Sequence, residues 1–283
     1  MLVNLKKVLS MAEKNNSAVG SFNIYNLETI LAVKEAIHLT KKPTIISFGE
    51  SYVSHAPLEV ISNIVHTLFD DSDTPVVLHL DHAKNFNTIT EAINHGFTSI
   101  MYDGSRLPLE ENINNTNKII NLAHSNNVSV EGELGYLNNE DGSGNISVNY
   151  TSVNDAIKYT KYTQVDALAV AIGNAHGIYK DTPKLNFSQL DKLNKTVKCP
   201  LVLHGSSGIS RIDLKKAITL GIRKFNINTE ISITAVQATR EFLNDNPLCI
   251  NPNLRFENVL KNARSKMTDK IIEYIKIFAN EEN

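Results

Sequence analysis

Three histidines in this chain stand where apolar, strand-like runs end: His82 in VVLHLDHA, His176 in ALAVAIGNAHG and His204 in PLVLHGSSG. Ligands so far apart in sequence meet only through the fold, which suits a catalytic metal better than a structural one. Three imidazoles leave a fourth coordination position open, as a catalytic Zn2+ requires. Asp81 lies directly beside the first histidine. A metal with an adjoining carboxylate can polarise a carbonyl and move a proton. A hydrolase using zinc-bound hydroxide would draw on the same residues.

The elements that must position these residues recur along the chain. Strand candidates are AVGSFNI from Ala18, TIISF from Thr44, VVLHLD from Val76, SIMYD from Ser99, VSVEGEL from Val128, ALAVAIG from Ala167, PLVLHG from Pro200 and KFNIN from Lys224. Amphipathic stretches such as NLETILAVKEAIHLT separate them, and short, almost continuously apolar strands suit a sheet covered by helices. Eight such units predict an α/β fold, a closed (β/α)8 TIM barrel, with a further helix from about Arg255; barrels of this kind typically take about 250 residues. One barrel domain is expected over 1–283. Sites in such barrels form at the carboxyl ends of the strands, where the three histidines fall together with Asn23, Asp81, Asp103, Glu133 and Asn226. A lone histidine after an apolar run is ordinarily a packing or surface residue, but three at equivalent strand ends are made neighbours by the barrel.

Other residues take plainer readings. His38, His66, His95 and His124 belong to helices and are expected at the surface. His79 alternates with Asp81 onto the inward face, below the site. Glu131 and Glu133 share one face of a strand, a costly placement inside a barrel without a cation or hydrogen bonds. Gly205–Gly208 (GSSG) and Asn226–Thr229 (NINT) each follow a strand and open a helix, where free backbone N–H groups attract a phosphate.

The formal charge of −2 and the scattered Lys and Arg argue against nucleic acid as a partner. Cys199 and Cys249 are too few for a disulfide framework and read as idle thiols in a reducing compartment. No signal peptide and no apolar run of roughly 20 residues is seen, so no membrane association and a cytoplasmic location are expected. GYLNNEDGSGNISVNY, the longest connection, has the polar composition of a functional loop.

HLDHAKNF, VEGELG, AVAIGNAHGIYK, LVLHGSSGIS and KFNINTE, with FNIYNLET and IMYDGS, resemble in order the motifs of the class II, metal-dependent ketose-bisphosphate aldolases. The resemblance covers nearly the whole chain. It implies a zinc enzyme that reversibly cleaves tagatose or fructose 1,6-bisphosphate into dihydroxyacetone phosphate and glyceraldehyde 3-phosphate, and the AVAIGNAHGIY stretch leans toward tagatose. By resemblance, His82, His176 and His204 are the zinc ligands, with Glu133 an alternate ligand. Asp81 shuttles the proton of the C4 hydroxyl, Glu140 is a loop acid that takes a proton from dihydroxyacetone phosphate, and Asp103 supports a ligand histidine from behind. Asn23, Gly177, Lys180, Gly205, Ser206, Ser207, Asn226, Ile227, Asn228 and Thr229 bind the substrate. A monovalent cation, Na+ or K+, and a homodimer or homotetramer are further implications.

The chain also departs from the family pattern. Asn138 and Asn139 replace the two glycines before the loop acid, and Gly49 stands where a hydroxyl is common. The tail PNLRFENVLKNAR lacks the usual Asp-Pro-Arg, leaving Arg255 and Arg264 as candidates to hold the distal phosphate. A non-catalytic sugar-phosphate binding protein on the same fold is the alternative that the altered loop supports.

Overall fold

The computed structural model describes residues 1–135, 150–177, 179, 183–248 and 250–281. Eight parallel strands, β1 (Val19–Asn23), β2 (Thr44–Gly49), β3 (Val76–Ala83), β4 (Ser99–Tyr102), β5 (Ser129–Leu134), β6 (Ala167–Val170), β7 (Leu201–Leu203) and β8 (Ile222–Ile227), close into a barrel in sequence order. Pairing of Ser21 with Asn226 and of Phe22 with Ile227 seals β1 to β8. The helices are α1 (Leu5–Lys14), α2 (Leu27–Thr40), α3 (Leu58–Phe69), α4 (Phe86–Asn94), α5 (Leu109–Ser125), α6 (Val153–Thr163), α7 (Phe187–Thr196), α8 (Arg211–Thr219), α9 (Thr229–Asp245) and α10 (Phe256–Phe278). A single 3-10 turn, Glu50–Tyr52, follows β2.

Strand alternation sorts side chains into two environments. On β3, Leu78 and Leu80 join the apolar layer shared with the helices, whereas Val77 belongs to a second cluster inside the barrel. That inner cluster joins Val19, Ile45, Val77, Met101, Ala167 and Val202 to Leu5, Val8 and Leu9 of α1. Helix α1 therefore plugs the amino end of the barrel, and its start is capped by the Asn4 side chain accepting from Lys7 N–H. Functional groups are left the carboxyl end.

Above the plug the interior turns polar. Ser21, Ser47, His79, Ser99, Glu131 and Lys224 are all fully buried. Lys224 Nζ donates to Glu131 Oε2 at 2.8 Å, and His79 Nδ1 lies 2.8 Å from Ser99 Oγ. Burial alone would raise the Glu131 carboxyl, but Lys224 and His204 outweigh it and hold it at about 2. Lys224→Met would leave Glu131 Oε2 without its cation; breaking a buried pair in this way costs about 3–5 kcal/mol. Denaturant midpoints should fall accordingly, and adding Glu131→Gln should recover part of the loss. The folded carboxyl lies below its ordinary 4.5, so the pair's contribution is present above that value and is lost as pH falls toward 2.

Strand positions match the sequence expectation closely, with one informative difference. The run ALAVAIG stops being strand at Val170, because Ile172 N–H is taken by Asn174 Oδ1 and Gly173 adopts a φ of 103°. His38 and His124 are exposed as expected, but His66 and His95 are half-buried. His66 has Nδ1 3.0 Å from Asp70 Oδ1 and Nε2 3.2 Å from Gly96 O. Cys199 is partly buried, and burial pushes its thiol up to about 12, a poor nucleophile. Cys249 and the polar loop 136–149 lie outside the described residues. No helix among the described residues is long and apolar enough to cross a membrane.

Candidate active site

His82, His176 and His204 converge at the carboxyl mouth, although β3, the segment after β6 and β7 carry them separately. Ring centroids are 5.0 Å apart for His82 and His176, 4.6 Å for His82 and His204, and 6.2 Å for His176 and His204. Each ring offers a nitrogen within 4.8 Å of the others.

Local backbone geometry explains how Asp81 and His82 serve one site. Neighbouring residues of a regular strand point to opposite faces. Here His82 sits in the left-handed region at φ 51°, and the pairing of β3 with β4 shifts register between Leu80 and Ala83. This bulge turns the imidazole toward the mouth that Asp81 already faces. A non-glycine residue in that conformation carries a cost of about 1–2 kcal/mol.

His204 and His82 are held from behind by carboxylates, and the backbone that carries His176 is braced. His204 Nε2 lies 2.8 Å from Glu131 Oε1. An ionised carboxylate only accepts, so Nε2 carries the proton and Nδ1 presents its lone pair, 2.9 Å from His82 Nε2. His82 Nδ1 faces Glu133 Oε2 at 3.6 Å and Asp103 Oδ2 at 3.7 Å. The loop carrying His176 is tied to the one after β7: Asn174 donates to His204 O at 2.9 Å, while the Tyr179 hydroxyl accepts from Ala175 N–H and donates to Gly205 O, both at 2.8 Å.

Gly205 lies directly on that neighbouring loop, with φ 58°. A Cβ there would sit 2.0 Å from Ala175 O, the residue before His176. Gly205→Ala should therefore lower stability by about 2–4 kcal/mol, combining strain and a backbone clash. It should also weaken metal uptake, and calorimetric melting with metal titration reads both.

Charges follow from burial and neighbours. Burial would lower His82, but Asp81, Asp103 and Glu133 raise it to about 9. Burial, reinforced by His82 and His204, lowers His176 to about 3 and keeps it neutral. Burial also lowers His204. For Asp81 burial acts upward, yet His82, His204 and Lys224 hold the carboxyl well below the usual range. Its two oxygens accept amide N–H bonds from Asn226 and Asn23, each at 3.0 Å. The result is an ionised carboxylate fixed beside the histidines. Burial pushes Glu133 up to about 8, and its Oε2 has no hydrogen-bond partner among the described residues. His176 and His204, kept neutral by burial, and the orphaned carboxyl oxygen of Glu133 beside His82 fit a divalent transition metal. His82, Asp103 and Glu133 form a second group with metal-ligand spacing.

A pocket of about 390 Å³ opens beside these residues, and His204, buried behind His82, is not part of its wall. Asn23, Asp81, His82, Asp103, Glu133, His176, Gly177, Gly205, Ser207, Asn226, Asn228 and Thr229 all reach its wall. Ser206 and Ile227 do not: the Ser206 hydroxyl donates to Leu203 O, and the Ile227 side chain lies in the apolar core. Contact between those two and a ligand would run through backbone. Glu140 and Lys180 lie outside the described residues. Arg255 and Arg264 are absent from the wall.

Several participants are missed by sequence reasoning. Glu230 accepts from Gly208 N–H at 3.1 Å and from the Tyr274 hydroxyl, which ties the GSSG turn to α10. Tyr52 accepts from Asn228 Nδ2 at 3.0 Å. Ser51, Lys84, Ser105 and Arg106 complete the wall. A weak signal exists for these last residues, since each falls within a few positions of a strand end.

Comparison with known proteins agrees with this geometry. The family model described as fructose-bisphosphate aldolase class-II matches residues 3–283. The chain is 35% identical over 283 residues to the uncharacterized protein YdjI of Escherichia coli K12, covering 99% of both chains. It is 34% identical over 279 residues to a sulfofructosephosphate aldolase of Alkalicoccus urumqiensis, covering 98% of this chain and 96% of that one. The crystal structure of the E. coli YdjI aldolase superposes with a TM-score of 0.87 over 98% of this chain and 97% of that one. A putative fructose-1,6-bisphosphate aldolase from Coccidioides immitis, 25% identical, gives 0.86 over 98% and 97%.

Proposed function

Because the chain belongs to the class II fructose-bisphosphate aldolase family, we propose that it reversibly splits a ketose 1,6-bisphosphate, tagatose or fructose, between C3 and C4. The products are dihydroxyacetone phosphate and glyceraldehyde 3-phosphate, and the metal is zinc. The observation that carries this reading is the convergence of three imidazoles and an ionised Asp81 at a pocket that also contains turns bearing glycine and serine.

His82, His176 and His204 would hold the zinc ion, which supplies a fixed positive charge to polarise the ketose carbonyl. Asp81 takes the C4 hydroxyl proton as the bond breaks and returns it on condensation. Asn23 and Asn226 keep both carboxylate oxygens aimed for that transfer. Asn226 Oδ1, buried without a partner among the described residues, is placed to accept from a substrate hydroxyl. The backbone at Gly177, Gly205 and the start of α9, where the Asn228 side chain makes no capping bond, suits the C1 phosphate. Phosphate anchoring then supplies binding energy for orientation away from the reacting bond. Glu140 and Lys180 are proposed as the loop base and an added phosphate contact.

A coupled assay for dihydroxyacetone phosphate release, run on tagatose and fructose 1,6-bisphosphates and on 6-deoxy-6-sulfofructose 1-phosphate, tests the reading and its substrate. The last compound is included because one relative is named for that chemistry. Metal-dependent release is expected from at least one of the bisphosphates. Release from the sulfonate alone would replace the bisphosphate assignment, and release from none would overturn the reading.

A further inference from the structure

One buried imidazole takes no part in the proposed chemistry. His79 stands two residues before Asp81 on β3, so both side chains turn to the inner face, with His79 nearer the amino end. It is fully buried. Its Nε2 has no hydrogen-bond partner among the described residues, although it lies 3.9 Å from Asp81 Oδ1 and 3.9 Å from Glu131 Oε2. Both carboxylates matter to the site: Asp81 is the proposed base, and Glu131 backs His204.

The neighbours fix the tautomer. Burial, reinforced by Lys224, lowers His79 to about 3 and leaves the ring neutral, with one proton. Two carboxylates that only accept lie next to Nε2, so Nε2 carries that proton, and Nδ1 accepts the Ser99 hydroxyl at 2.8 Å. A buried N–H without an acceptor is costly. Separations of 3.9 Å are too long for direct hydrogen bonds and suit one water between the groups. The surroundings are polar enough to hold it, since a buried water takes about three polar partners. Ser47, paired with His79 in the register of β2 on β3, and Ser21 on β1 are also fully buried, and their hydroxyls lack partners among the described residues.

We propose that one buried water sits beneath Asp81, accepting from His79 Nε2–H and donating to Asp81 Oδ1 and Glu131 Oε2, and that His79 is thereby a positioning residue for the base. Asn226 and Asn23 already bond one Asp81 oxygen each. The water adds a hold from the barrel interior and joins the base to the carboxylate behind His204. Base and metal-binding imidazole are then aligned through one hydrogen-bonded chain, Asp81 to water to Glu131 to His204. The inference rests on the reading of Asp81 as carrier of the C4 hydroxyl proton.

The wild-type, metal-loaded enzyme, crystallised to a resolution that shows ordered solvent, should carry one water within hydrogen-bond distance of His79 Nε2, Asp81 Oδ1 and Glu131 Oε2. His79→Leu removes the N–H and should lower kcat for ketose cleavage by about tenfold, with KM and metal content little changed. His79→Gln extends an amide N–H to a similar reach and should restore most of the rate. Exchange of the C3 proton of dihydroxyacetone phosphate with solvent deuterium, a step that does not use Asp81, should be unaltered in both variants. Density without a water at that point, or a His79→Leu enzyme with wild-type kcat, overturns the inference. So does a loss of cleavage matched by loss of exchange or of metal, which marks a merely structural role. Should His79→Leu fail to fold, the wild-type crystal structure decides. A wild type that cleaves no ketose overturns the aldolase reading and with it the role given to His79, while a water seen in the crystal still stands.

Discussion

Asp81→Ala should lower the rate of ketose cleavage by about 10³-fold, within the range that a positioned acid–base group supplies. The protein should still bind one metal ion per chain, because the three imidazoles remain, with Glu131 behind His204 and Asp103 and Glu133 behind His82. Two observations separate a proton carrier from a structural residue. Asp81 acts on the C4 hydroxyl, which dihydroxyacetone phosphate alone does not possess. The variant should therefore still exchange the C3 proton of dihydroxyacetone phosphate with deuterium from solvent while failing to cleave ketose. Loss of metal together with activity, or loss of exchange in step with cleavage, would refute the assigned role. Asn23→Ala and Asn226→Ala should give smaller losses, since each removes only one of the bonds that aim the carboxylate.

Removal of the metal should have an effect at least as large. A fixed cation at a developing charge is worth several kcal/mol, and each 1.4 kcal/mol is about tenfold in rate. Chelated protein should lose about 10³-fold or more of its turnover and regain it with Zn2+. Melting offers a readout independent of catalysis. The imidazoles meet only in the folded chain, so added zinc should raise the melting temperature of chelated protein in proportion to its affinity. Undiminished turnover in demonstrably metal-free protein would end the zinc assignment.

The parts of this architecture that were legible in the sequence are those with local signals. Strands of alternating or continuous Val, Ile and Leu ending in His or Gly place eight elements and the three histidines proposed as ligands, because the barrel turns equivalent strand ends into neighbours. Other features depend on partners far away in the chain. Glu131 and Lys224 read as odd charges in strands until β5 and β8 bring them within 2.8 Å. Asn23 and Asn226 were expected as substrate contacts, and their grip on Asp81 depends on three separate strands. Ser206 resembles its neighbour Ser207, but a bond to Leu203 O turns it away. The left-handed turn at His82 has no residue-type signal, since glycine or asparagine is the ordinary occupant of such a position.

That turn also bears on the evolutionary history of the chain. A glycine at position 82 would relax the backbone and abolish the imidazole. Chains drift toward such changes wherever nothing opposes them, because selection removes only what falls below a working threshold. A descendant released from metal chemistry would have an easy path to shed this histidine and gain robustness. A strained imidazole at this position, flanked by Asp103 just after β4 and by Glu133 of β5, is what continued selection for the proposed metal chemistry would maintain.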